Sequence, residues 1–113
     1  MAILLSMSRS NLPLAEEAVA ALGALIAVRR RELKFTATEF AERVGVTRVT
    51  LRKIEQGDPS VAVGTVFTAA VVAGIPLFGA DDRRDLAAVR GEIGRLLALL
   101  PSRVDRGPVD NDF

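Results

Sequence analysis

The chain contains no cysteine, histidine, tyrosine or tryptophan. Without cysteine there is no disulfide framework and no thiolate chemistry. Without histidine the usual general base and the commonest metal ligand are both missing. Exposed carboxylates are the only catalytic equipment left, so no enzyme activity, catalytic residue, metal or cofactor is expected. Aromatic residues are scarce too, at 4% of 113 residues, all of them Phe. A core must therefore come from Leu, Val, Ile and Ala, which suits packed helices in one modest domain.

One stretch, residues 59–80, carries no charge at all and reads PSVAVGTVFTAAVVAGIPLFGA. Pro59 and Pro76, with Gly64, Gly74 and Gly79, leave Val63 to Ala73 as the continuous helix. That falls far short of the ~20 apolar residues of a membrane span. Residues 1–12 start with a short apolar run but lack the positive start and longer core of a signal peptide. Met1 and Met7 are both candidate starts. A cytoplasmic, membrane-free protein is expected.

Net charge is only +1, yet it is unevenly spread. Residues 29–57 hold eight Arg and Lys against four Glu, a local +4, whereas residues 80–113 hold six Arg against seven acids, a local −1. A basic middle and a slightly acidic end suit different partners.

The basic middle contains TATEFAERVGVTRVTLRKIEQG, Thr36 to Gly57. It reads as two short helices joined by a tight turn. Thr38 is placed to cap the first, with Glu39 and Glu42 in its opening turns. Phe40, Ala41 and Val44 make its apolar stripe, and Gly45 supplies the left-handed residue that stops it. Val46 plugs the corner. Thr47 caps the second helix, Leu51 and Ile54 point inward, and Gly57 before Asp58-Pro59 ends it. The outward face carries Arg48, Val49, Arg52 and Lys53. A helix fits the DNA major groove, where Arg or Lys suits guanine O6/N7 and a valine methyl suits the thymine methyl. The same pattern also fits an ordinary helical hairpin with a solvated basic face.

Before this pair, Pro13 opens a helix with Glu16 and Glu17 near its positive end. Leu14, Ala18, Leu22, Leu25, Ile26 and Leu33 recur at helical spacing. Arg29, Arg30, Arg31 and Lys34 fall in its last turns, where cations oppose the negative helix end or contact phosphate. After the pair, Val63, Val66, Phe67, Ala70 and Val71 form a stripe expected to pack beneath it. Thr65, Thr68, Ala69 and Val72 make an opposite face, apolar enough for a subunit contact. Asp81 and Asp82 open a last helix running to about Leu100. Leu86, Val89, Ile93, Leu96 and Leu100 step along it by 3, 4, 3 and 4, a seam of two heptads. It either folds back on the chain's own core or pairs two copies. Pro101 stops it, and Ser102 to Phe113 is a polar tail with no core of its own.

The segment FTATEFAERVGVTRVTLRKIEQG, Phe35 to Gly57, resembles the helix-turn-helix of the XRE family of phage-repressor-like regulators. Their usual pattern is close to LTQAELAERAGVSRPTLRRLERG. Two positions depart: Ala37 stands where Gln is usual, and Val49 where Pro is common. The resemblance implies an all-α, phage-repressor-like five-helix domain with a flexible C-terminal tail. The expected organisation is an extension over 1–12, a DNA-binding domain over 13–79, a C-terminal helix over 80–101 and a tail over 102–113. Expected DNA contacts are Thr36, Thr38, Thr47 and Thr50, with Arg48, Val49, Arg52 and Lys53 facing bases. Taken whole, the chain is also similar to HipB-like antitoxins, through LGALIAVRRREL, the helix pair, GDPSVAVGTV and the ending LPSRVDRGPVDNDF. That likeness implies a homodimer on a palindromic, double-stranded operator that represses its own operon near the nucleoid. It further implies a HipA-type kinase toxin held by Val109, Asp110, Asp112 and Phe113. A solitary XRE repressor, or an interaction adaptor that no longer reads DNA, are the alternatives.

Overall fold

The computed structural model describes residues 12–104, which form five α-helices and no strands. They are α1 Pro13–Glu32, α2 Ala37–Val44, α3 Arg48–Glu55, α4 Val63–Val72 and α5 Arg83–Ala98. Two compact units divide between Leu77 and Phe78, the first holding α1–α4 and the second α5. Among the described residues no helix is long and apolar enough to cross a membrane. The expected partner-binding residues Val109, Asp110, Asp112 and Phe113 lie outside the described residues.

Four large side chains close the core of the first unit: Ile26 from α1, Phe40 from α2, and Leu51 and Ile54 from α3. Ala41, Ala69, Ala70 and Ala73 fill the space between them. The face of α4 differs from the expected one. Ala69 is fully buried, not part of an outer face, while Val63 and Val71 are exposed. Ala69 and Ala70 sit in the core with Val66 and Val72 packed against it, so Val72 too turns inward rather than lying on the expected outer face. The apolar stripe expected along α1 is only partly buried. Leu14, Leu25 and Leu33 are exposed, and the buried line runs through Gly23 and Ile26.

Gly23 is where α1 comes closest to its neighbour. A Cβ built on it would lie 2.3 Å from the Ile54 carbonyl oxygen and 3.0 Å from the Gly57 nitrogen. Only a residue without a side chain lets the α1 backbone rest on the end of α3.

Helix ends in this unit repeat one device. Past α1, α2, α3 and α4 the chain turns through Lys34, Gly45, Gly57 and Gly74, all at positive φ. Each turn is closed by a bond reaching back five residues, from Phe35, Val46, Asp58 and Ile75 to the carbonyls of Arg30, Ala41, Lys53 and Ala70. Lys34 therefore lies beyond α1 in the left-handed region (φ 67°), not in its last turn. At the start of α2 the cap is Thr36, not Thr38. Thr36 Oγ1 accepts the Glu39 N–H at 3.1 Å, and Glu39 Oε1 accepts the Thr36 N–H at 2.9 Å. Thr38 has no such partner, because Ala41 stands three residues on. The Thr36 bonds hold the Glu39 carboxyl below its ordinary pKa, the backbone N–H contributing most. The carboxylate half of this cap thus contributes fully above the ordinary carboxylate pKa and is lost as pH falls through the lowered one, while the Thr36 hydroxyl half does not titrate.

In the second unit, Asp82 caps α5 by accepting the Asp85 N–H at 2.8 Å. The helix ends at Ala98, short of Leu100. Glu92 and Arg95 pair on its surface. In the first unit, the start of α4 has no side-chain cap at Ala62.

Candidate nucleic-acid interface

Leu51 and Ile54 anchor α3 in the core, and that fixes which face it shows to solvent. At 100° per residue the outward arc then holds Arg48, Val49, Arg52, Lys53 and Gln56. Arg48, Arg52 and Lys53 are exposed, and Val49 keeps 65% of its surface. Among the described residues none of these three cations, nor Arg31, makes an ion pair or hydrogen bond. Arg31, Arg48 and Arg52 are thus free to meet an incoming anion without breaking an internal contact, whereas the Lys53 charge lies within electrostatic reach of Asp58.

The roll of α3 is set by a second device that sequence spacing did not show. Arg30 Nε donates to Glu55 Oε2 at 2.7 Å and Nη2 to Oε1 at 3.2 Å, a two-pronged pair with both side chains more than four-fifths buried. Nη1 of the same guanidinium donates to the Phe35 carbonyl at 3.0 Å. Glu55 raises the Arg30 pKa, chiefly through the hydrogen bond and against desolvation. Arg30 thus ties α1, the loop before α2 and α3 together. Arg29 is engaged as well, by Glu32 at 2.7 Å and by the Ala73 carbonyl at 3.2 Å beyond α4. Of the cations expected near phosphate, these two serve the scaffold. Arg31 does not.

The threonines divide their bonding. Thr47 Oγ1 accepts the Thr50 N–H at 3.1 Å and donates its own proton to Thr50 Oγ1 at 3.2 Å. The Thr50 O–H is left to donate outward. The Thr36 hydroxyl, an acceptor in its cap, also keeps its proton for an external oxygen. No acid stands in the first turn of α3, so its partial positive end is not neutralised there.

A groove of about 660 Å³ runs between α1, the start of α2 and α3. Arg31, Ala37, Arg48, Arg52 and Gln56 are among the residues lining it. Of the expected contacts, Thr36, Thr38, Thr47, Thr50 and Lys53 do not line this groove, whereas Arg48, Val49 and Arg52 do. Arg31 and Gln56 join them. Gln56 was legible in principle, four residues beyond Arg52, whereas Arg31 was hidden among three adjacent arginines of which only one faces the groove without a partner.

The matching family model describes a helix-turn-helix domain and spans residues 21–87, more than half of the chain. The chain belongs to the helix-turn-helix domain family. Its kind is XRE/Cro-like, and such a domain points to a DNA-binding regulator. No curated protein matches the chain. In this helix-turn-helix domain, α2 and α3 are the two helices, Gly45 is the turn, and α3 is the helix whose outer face is free.

Proposed function

We propose that the chain is a sequence-specific transcriptional repressor, a cytoplasmic binding protein and not an enzyme, whose α3 enters the DNA major groove. The observation that carries this reading is the groove lined by Arg31, Arg48 and Arg52, none of them in an ion pair among the described residues, with exposed Val49. Arg48, Val49, Arg52 and Lys53 meet base edges. Thr36, Thr38, Thr47 and Thr50 meet phosphates, with Arg31 supplying a cation beside Ala37. Two copies read the half-sites of a palindrome, about one helical turn apart. Arg48→Ala should weaken binding to the chain's own promoter by ~1–3 kcal/mol with unchanged melting temperature. Unchanged affinity in a fluorescence-anisotropy titration would assign the reading face elsewhere.

A more specific reading is a HipB-like antitoxin. The ending LPSRVDRGPVDNDF favours it, with Val109, Asp110, Asp112 and Phe113 docking a HipA-type kinase. Removing residues 102–113 should abolish capture of a kinase encoded beside the chain while leaving operator binding intact. One buried Phe side chain is worth roughly 1.5–3 kcal/mol, so Phe113→Ala alone should weaken that complex about ten- to a hundredfold. Equal capture by the full and shortened chains would leave the solitary-repressor reading.

A further inference from the structure

The groove beside α3 holds more positive charge than its own acids balance. Its cavity of about 660 Å³ falls within the range of small-molecule sites. Four arginines line it, Arg30, Arg31, Arg48 and Arg52, against one acid, Glu55. Glu55 is taken up by its two-pronged pair with Arg30. Three positive charges are left around one cavity, and arginine stays protonated at every physiological pH. Like charges gathered in this way repel one another, and a bound anion relieves that repulsion. Ala27 of α1 and Ala37 of α2 add small apolar walls. Ala37 stands where the XRE pattern has Gln, so the wall lacks a longer side chain and the groove is the wider for it.

We propose that this groove binds the diphosphate group of a small molecule, and that its occupant competes with DNA for Arg48 and Arg52. The charge count selects the ligand. One phosphate monoester carries about −1.5 to −2 at pH 7, too little for three guanidinium groups, whereas a diphosphate carries roughly −3. The planar guanidinium forks grip phosphate oxygens in pairs, as a point charge does not. A diphosphate arrives either free, as pyrophosphate, or on a nucleoside whose flat base lies against the alanine walls. The same groove would thus serve as an inducer site, since a chain whose Arg48 and Arg52 hold a diphosphate cannot offer them to a duplex. Only this competition rests on the DNA-reading proposal; the site itself does not.

The test is calorimetric titration of the full chain, without DNA, with ADP, pyrophosphate, AMP and sulfate at constant ionic strength. Both diphosphates should bind saturably, one per chain, and AMP and sulfate roughly tenfold more weakly or worse. The tighter of ADP and pyrophosphate identifies the source of the diphosphate. Arg31 is exposed and outside any ion pair, so Arg31→Ala keeps the fold and should weaken both roughly tenfold or more. Ala27→Leu narrows the groove without changing its charge and should weaken ADP more than pyrophosphate; circular dichroism checks that it is folded. ADP should also loosen the promoter complex in a competition titration at the same ionic strength. The proposal is overturned if neither diphosphate binds saturably, or if sulfate binds as well as they do, as on any cationic surface. Unchanged affinity in Arg31→Ala overturns it too, and so does a bound diphosphate that leaves an existing promoter complex intact. A chain that binds diphosphate but no promoter upholds the site and fails the DNA reading alone.

Discussion

Glu55→Ala should lower the stability of the helix-turn-helix unit by about 2–4 kcal/mol. The substitution leaves the Arg30 guanidinium nearly buried, with only the Phe35 carbonyl as partner. Stranding a charge in that way costs more than the pair itself contributes, because the pair's Coulomb gain is mostly offset by desolvation. Two variants separate these terms. Glu55→Gln keeps a hydrogen-bond acceptor and should recover part of the loss. Replacing both partners, as Arg30→Met with Glu55→Leu, should recover most of it, since no charge is then left unpaired. The measurement is chemical denaturation at neutral pH. A single-variant loss below about 0.5 kcal/mol, in the range of a surface pair, would show that the pair is solvated and does not fix the roll of α3.

Gly23→Ala should also destabilise, although alanine is the better helix former by roughly 1 kcal/mol. The opposing effect is larger. The new Cβ would meet the carbonyl oxygens of Ile54 and Glu55 and the Gly57 nitrogen, all backbone atoms that no rotamer change can move aside. Forcing α1 off α3 costs about 1–3 kcal/mol or more by analogy with overpacked cores. A net loss of about 2 kcal/mol corresponds to a fall in melting temperature of roughly 8–16 °C for a domain of this size. Gly23→Val should lose more. Gly91→Ala and Gly94→Ala in α5, where the added methyl meets open space, should instead gain about 0.5–1 kcal/mol each. Thermal melts of the three alanine variants would decide the matter. A stabilised Gly23→Ala would mean that the α1–α3 contact is looser than the fold requires.

Both features lie where sequence patterning has least to say. Contrast between polar and apolar residues marks a buried face, and α2 and α3 have it. Phe40 and Ala41, then Leu51 and Ile54, alternate with charged residues, so their inward faces and the Gly45 turn were legible. In α4 no residue is charged, so nothing in the periodicity distinguished Ala69 and Ala73 from Val63 and Val71. Close helix approach decided instead. In α1 the run AVAALGALIAV is similarly uniform, and the deciding residue is the one with no side chain. Of Arg29, Arg30 and Arg31, three adjacent identical residues, only tertiary partners reveal which bind the scaffold and which face the groove. At the start of α2, Thr36 and Thr38 are equally good caps in isolation, so spacing alone does not choose between them. The reciprocal bond from Glu39 settles it.

The recognition surface itself follows from simple geometry once Leu51 and Ile54 are buried. On the proposed reading, cations on α3 would supply affinity for any duplex, and the spacing of Arg48, Val49 and Arg52 the preference for one.

The most direct test of the account is equilibrium binding of the full chain to its own promoter and to a scrambled duplex of equal length, from low to moderate salt. Both affinities should fall steeply, with a log–log slope near −0.9 for each phosphate contacted. The promoter should remain favoured by on the order of 10³ or more at physiological salt. Equal affinity for the two duplexes, or a plot that stays flat with salt, would contradict the assignment of α3 as a sequence-reading helix.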